Sequence, residues 1–149
     1  MTTLVLKELI TTLEQDINFN LNVRYNIGAL IPYIYMHNAP AGTFTIELIK
    51  SSVTIFSNTF TSVDLKASLG TTDNYAHVFY PIVPTDTVQI ERGIYTVKLS
   101  SSGYTYNSSS FLGWCQQYVN IQGTLDYVPA NYSENPLSIR VKTYKEGIK

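Results

Sequence analysis

Eight consecutive residues, Asn18 to Tyr25, alternate without a fault: Asn18, Asn20, Asn22 and Arg24 fall on one side, Phe19, Leu21, Val23 and Tyr25 on the other. Side chains on a strand point to opposite faces with a period of two, so the stretch reads as a strand with one apolar and one wetted face. The same period returns in Thr43 to Ile49, where Phe44, Ile46 and Leu48 oppose Thr43, Thr45 and Glu47. It returns again in Ile94 to Ser100, with Tyr95, Val97 and Leu99 inward, and in Leu137 to Tyr144, with Leu137, Ile139 and Val141 inward. A chain built this way must stack half-wetted sheets against each other to bury their apolar faces.

Further strands are expected at Ala29 to His37, Val53 to Phe60, Tyr75 to Val83, Thr87 to Ile90 and Phe111 to Cys115. Pro32 places its strand at an edge or a bulge, because proline gives no donor to the ladder. Leu4 to Leu13 mixes the helical and the extended period and stays open between the two. Thr61 and Asp64 form a capping-box pair, so Ser62 to Leu69 is expected to be a short helix ending at Gly70. The sum is eight to ten short strands with turn signals about every ten residues and no βα alternation. The fold expected is an all-β, antiparallel, jelly-roll-like sandwich with at most one or two short helices. It forms one domain over 1–149, with 1–15 a candidate arm or edge strand for subunit contact. That segment, with Leu4, Val5, Leu6, Leu9, Ile10 and Leu13, is more apolar than a free chain end should be.

Charged residues make up only 14% of the chain and the net charge is -1. Without a basic excess there is no electrostatic footprint for nucleic acid, and no amphipathic or polybasic stretch suits a membrane surface. Met1 to Leu4 lacks the basic and apolar regions of a signal peptide, which leads to the expectation of synthesis in a cytoplasm. Cys115 is the single cysteine, so it forms no intrachain bridge and reads as a small buried hydrophobe.

The search for chemistry is negative. There is no nucleophile elbow, no His-Glu-x-x-His, no phosphate-binding glycine loop and no metal-ligand spacing, and no cofactor is implied. A calcium ion held by loop carboxylates such as Asp64, Asp73 or Asp86 stays open. His37 beside a turn and His77 on an apolar strand read as structural, and Glu47 alternates outward onto a solvated face. The expectation is a protein that is not an enzyme.

Two sets of residues remain as candidate binding surfaces. Asparagine is a poor strand former, so three on one face point to a selection other than propensity. Amides can be covered by another protein at modest cost if each finds a partner, which makes Asn18, Asn20, Asn22 and Arg24 a candidate interface. Tyr104, Tyr106, Trp114, Tyr118, Tyr127 and Tyr132 crowd the region from Gly103 to Ser133 among Asn and Gln side chains. Such a mixture suits docking against a protein or stacking on sugar rings, and half of these rings could equally be core.

The run Gln89-Ile90-Glu91-Arg92-Gly93-Ile94-Tyr95-Thr96-Val97-Lys98-Leu99, followed by Ser102-Gly103-Tyr104, resembles a stretch common in jelly-roll and galactose-binding-like sandwiches. There a Gly-x-Tyr-x-apolar-x-Leu strand follows a short strand and turn. The texture of the whole chain, with few charges, many Thr, Ser, Asn and Tyr and one unpaired Cys, is similar to that of small β-sandwich proteins of tailed-phage virions. Head decoration proteins, head fibres and tail adaptors share it. The resemblance implies a structural subunit of a viral particle, made in the host cytoplasm and working in the virion. Its partners would be other virion proteins and itself, as a homo-oligomer. The alternative class is a carbohydrate-binding module that recognises polysaccharide through exposed aromatics.

Overall fold

The structure is a computed structural model and describes residues 4–19, 24–117, 137 and 139–145. In chain order its elements are β1 (Leu4–Glu8), β2 (Leu13–Phe19), β3 (Tyr25–His37), β4 (Thr43–Lys50), β5 (Val53–Phe60) and α1 (Ser62–Leu69). They continue with β6 (Ala76–Phe79), β7 (Gln89–Ile90), β8 (Gly93–Ser102), β9 (Phe111–Gln117) and β10 (Ile139–Lys145). Every pairing is antiparallel, and the strands form two sheets. The smaller has the order β2-β8-β4-β5; the larger has β1, β9, β3 and β10 in order, with β6 and β7 also on β3. This is the expected all-β sandwich with one short helix.

The core lies between the inner faces, where the period-two pattern puts the apolar residues. Ile17, Phe19, Phe44, Ile46, Leu48, Val97 and Leu99 of the smaller sheet are at most 1% exposed, and so are Leu30, Ile34, Met36, Leu112 and Trp114 of the larger. Tyr95 and Ile139 join them as expected, while Leu21, Val23 and the side chain of Val141 lie outside the described residues. Phe19 meets Tyr95 edge to face at 5.2 Å between ring centroids, and Phe44 lies 5.8 Å from Phe60. Such ring pairs add to the burial term, which itself stabilises by about 1.5–3 kcal/mol per large side chain.

The strand expected over Asn18 to Tyr25 is not one strand. Asn18 and Phe19 end β2, which pairs with β8 in the smaller sheet, whereas Tyr25 opens β3 in the larger. Alternation records burial and not sheet membership, so a change of sheet leaves no mark in it. Residues 20–23 lie outside the described residues. Leu4 to Leu13 resolves as extended chain: β1 on the edge beside β9, a bend, and then the start of β2.

Pro32 sits in neither an edge strand nor a bulge. It lies inside β3, the longest strand at 13 residues, where the ladder on one side is interrupted. Leu30 and Ile82 exchange both backbone bonds at 2.9 and 2.8 Å, but at the next position Tyr80 N–H donates to Pro32 O at 3.1 Å and the proline has nothing to return. The missing donor falls just where β6 has ended. Gly28 is skipped in the register with β10, where Ala29 faces Lys142 and Ile27 faces Thr143. This bulge shifts the parity of β3, so Ile27 and then Leu30, Ile34 and Met36 all reach the core.

The helix is capped as its sequence predicts. Asp64 N–H donates to the Thr61 hydroxyl at 3.3 Å, and Thr61 N–H donates to the Asp64 carboxylate at 2.8 Å. Gly70 closes the helix in the left-handed conformation, at φ 67°.

Candidate functional site: an aromatic face on the larger sheet

Beyond Pro32 the outward positions of β3 are Tyr33, Tyr35 and His37, all half-buried, while Ile34 and Met36 between them are fully buried. β6 runs antiparallel beside them and sets Phe79 opposite Tyr33 and His77 opposite Tyr35. On the other side β9 sets Phe111 opposite His37 and Gly113 opposite Tyr35. Directly opposed side chains on a sheet stand about 4.5–5.5 Å apart at Cβ, so the topology alone makes these rings pair.

Three ring pairs result, two tilted and one stacked. Tyr33 and Phe79 have centroids 4.3 Å apart at 31° between planes, Tyr35 and His77 4.4 Å at 38°, and His37 and Phe111 4.9 Å at 19°. Tyr75, which is 54% exposed, packs edge-on to His37 at 4.8 Å. Tyr106 lies 5.8 Å from Phe111 at one border of the patch. The Tyr35 hydroxyl and His37 Nδ1 share a hydrogen bond of 3.0 Å; the phenol donates when the imidazole is neutral at Nδ1, and the ring donates when protonated. Burial, and after it the Cys115 thiol, push the Tyr33 phenol up.

The floor of the patch is built from small groups. Leu6 of β1 lies over Gly113, where an added Cβ would stand 2.5 Å from Leu6 Cδ1 and 3.1 Å from Lys7 O. Cys115 is 1% exposed, with Sγ 3.9 Å from His77 Nδ1. Burial pushes its thiol up to about 11. At neutral pH it is a protonated thiol, a poor nucleophile and a poor ligand. Among the described residues no group of three His, Cys, Asp or Glu side chains could hold a metal ion.

The second feature is a cleft of about 240 Å³ lined by Arg24, Lys50, Ile55, Gln89, Ile90, Glu91 and Tyr95. Arg24 Nε and Lys50 Nζ approach the Glu91 carboxylate at 3.8 and 3.5 Å. Lys50 Nζ also lies 5.0 Å from the centre of the Tyr95 ring, whose hydroxyl accepts from Glu91 N–H at 3.2 Å. Glu91 is 58% exposed, so each pair is worth below about 1 kcal/mol. One carboxylate between two cations is an electrostatic clasp; among the described residues no second acid lines the cleft to form the pair that glycoside hydrolysis uses.

The residues singled out by sequence scatter over this frame. Asn18 is half-buried at the end of β2, opposite Ile94, and Arg24 stands in the cleft. Asn20, Asn22, Tyr118, Tyr127 and Tyr132 lie outside the described residues. Trp114 points inward at 0% exposure and has no ring face to offer a ligand. Tyr104 packs edge-on against Phe44 at 5.2 Å, with its hydroxyl accepting from Leu112 N–H at 3.4 Å. Of the described candidates only Tyr106 borders the aromatic face. The rings that do form it were legible in Tyr33-Ile34-Tyr35-Met36-His37 and Tyr75-Ala76-His77-Val78-Phe79 as aromatics at every second position. Considered singly, the two histidines looked structural; only the pairing of β3 with β6 joins them. Comparison with protein-family models, with curated proteins and with solved structures finds no match for the chain.

Proposed function

We propose that this chain is a non-catalytic assembly subunit, a structural protein of a viral particle that binds other virion proteins through the aromatic face of its larger sheet. The observation that carries the reading is the pairing of rings on that face. The faces of Tyr33, Phe79, Tyr35, His77, His37 and Phe111 are turned on one another at 19–38°. A partner therefore meets ring edges, phenol hydroxyls and imidazole nitrogens. A sugar platform needs free ring faces, whereas a protein contact gains from large rigid groups with hydrogen-bonding rims. The outer face of the smaller sheet differs in kind. There the Thr45 and Thr59 hydroxyls bond at 3.0 Å, Thr54 donates to Glu47 at 3.1 Å and Thr96 donates to Asp16 at 2.7 Å. That face is closed by polar bonds among its own side chains, whereas the aromatic one gathers half-buried rings with Tyr75 and His77 exposed among them, and clustered apolar groups of this kind mark interaction sites. The particle setting is supported by the likeness in composition to small phage sandwich proteins, with charge scarce and amides and hydroxyls abundant.

The test is quantitative mass spectrometry of particles released from cells that carry the gene. The chain should be present in stoichiometric amount. A Tyr35→Ala/His77→Ala variant that keeps the wild-type melting curve should be incorporated roughly tenfold less, as expected for losing two ring contacts at an interface centre. Absence from particles refutes the reading. Binding on a glycan array that the same variant abolishes would transfer the chain to the carbohydrate-binding class.

A further inference from the structure

A sandwich must protect the edges of its sheets, because an unpaired strand is a template for another chain. The described edges differ sharply in how this is done. β1 ends in Lys7 and Glu8, β2 carries Glu14 and Asp16, and β10 carries Arg140, Lys142 and Lys145. The line of β6 and β7 consists of pieces of four and two residues, separated by a stretch that contains Pro81 and Pro84. β5 has none of these devices. Its sequence, Val53-Thr54-Ile55-Phe56-Ser57-Asn58-Thr59-Phe60, holds no charge, no proline and no glycine. Among the described residues its backbone bonds only to β4. α1 follows the strand end and packs against both β6 and β5.

The register shift opposite Leu48 and Ile49 leaves Ile55 without a partner on β4, so β5 is bulged near its hairpin and regular from Phe56 to Phe60. The middle of that regular run is Asn58. It faces Ile46 on the inner side, between Phe56 and Phe60, and is half-buried. An amide in a row of phenylalanines at an open edge is an anomaly, and it bonds to no described group. An amide, with donor and acceptor on separate atoms, can also donate to and accept from a copy of itself at the same time.

We infer that β5 is the seam of a two-fold dimer, in which Phe56–Phe60 pairs antiparallel with the same five residues of a second copy and Asn58 meets Asn58 on the axis. A two-fold normal to the sheet keeps inner faces on one side, so residues of like parity oppose each other. Phe56 then faces Phe60 of the second copy, and Ser57 faces Thr59. The result is one continuous sheet of eight strands, four from each copy. The partner is a second copy because the other described edges are blunted. Head-to-tail addition of β5 onto any of them would bury a charge or lack donors, while self-pairing closes after two copies. This deepens the assembly reading by naming one partner, and it uses a surface other than the aromatic face, so the two can fail separately.

The experiment is light scattering on the purified chain from about 1 to 500 μM, a range that brackets the affinity of a small interface. The wild type should double its mass within that range. Asn58→Lys, which sets two like charges on the axis, should hold the protein monomeric at every concentration, and Glu14→Lys, on β2 at the opposite edge of the same sheet, should leave the doubling unchanged. Asn58→Cys guards against misfolding as an explanation. Opposed residues stand about 4.5–5.5 Å apart at Cα, within disulfide reach, so oxidation should yield a covalent dimer. The native thiol gives little background, since Cys115 is buried. A wild type that is monomeric throughout overturns the inference. So does a dimer that survives Asn58→Lys and does not cross-link through Asn58→Cys; its contact lies elsewhere. In either case incorporation into particles still decides the assembly reading.

Discussion

Gly113→Ala is the sharpest test of how the aromatic face is floored. Away from neighbours, replacing a strand glycine with alanine stabilises by roughly 0.5–1 kcal/mol, because glycine loses more backbone freedom on folding. At position 113 the new methyl would lie 2.5 Å from Leu6 Cδ1, 3.1 Å from Leu6 Cγ and 3.1 Å from Lys7 O. Leu6 must leave its rotamer or β1 must move off β9, and overpacking of that kind costs about 1–3 kcal/mol. The two effects together leave a net loss of about 0.5–2 kcal/mol. Urea unfolding should show it as a midpoint lowered by about 0.25–1 M, for a slope of roughly 2 kcal/mol per molar. The decisive measurement is the same substitution in a Leu6→Ala background. There the closest contacts are gone, so Gly113→Ala should become neutral or stabilising, a coupling of at least about 1 kcal/mol. Equal losses in both backgrounds would refute the idea that Gly113 exists to admit Leu6. They would place the strain at the backbone of Lys7 instead.

Three further outcomes follow from the packing. Cys115 is held as a thiol with its pKa raised to about 11 by burial. Its contribution to stability is complete below the unfolded thiol's ordinary value, and is lost as pH rises toward the folded one. Native protein at pH 8 should resist a thiol reagent that labels the urea-unfolded chain at once, and melting should decline between about pH 9 and 11. Thr61→Ala removes the hydroxyl that accepts from Asp64 N–H and should cost about 0.5–2 kcal/mol in chemical denaturation. Trp114→Ala should behave as a core truncation, lowering stability by about 3–5 kcal/mol; a loss of ligand binding at unchanged stability would contradict its burial.

Much of this architecture is legible in the sequence because half-buried strands write their burial directly into a period of two. Thr43 to Ile49 and Ile94 to Ser100 are read correctly for that reason, and α1 because its two caps are local chemistry. The failures have a common physical origin. Periodicity reports that a residue is covered and is silent about what covers it. Asn18 to Tyr25 therefore reads as one strand although its ends belong to different sheets, and Trp114 reads as a candidate binding ring although it is the largest fully buried side chain. Pro32 reads as an edge or bulge position because the rule counts missing donors, whereas the fold matches the missing donor to a gap in the neighbouring strand. The aromatic face was missed for a related reason. Tyr35 and His77 are 42 positions apart in the sequence, and only the antiparallel register of β3 with β6 makes them neighbours.

The two candidate contacts differ in what they ask of a partner. The aromatic face presents rings already packed against each other, so a protein docking there orders few additional side chains and loses little rotamer entropy. Specificity at such a surface must come from the rims: the hydroxyls of Tyr33 and Tyr35, and the ring nitrogens of His37 and His77. The β5 edge presents the reverse, a row of backbone donors and acceptors, where affinity comes from the ladder and selectivity from one amide at the centre. A subunit that self-pairs through an edge and holds a different protein through a face can do both at once, because β5 belongs to the smaller sheet and the rings to the larger. If both contacts exist, Asn58→Lys should weaken particle incorporation only through lost avidity, while Tyr35→Ala/His77→Ala should remove it even where the dimer is intact. The opposite ordering, with the edge variant the more damaging, would mean that the seam and not the aromatic face is what ties the subunit to its particle.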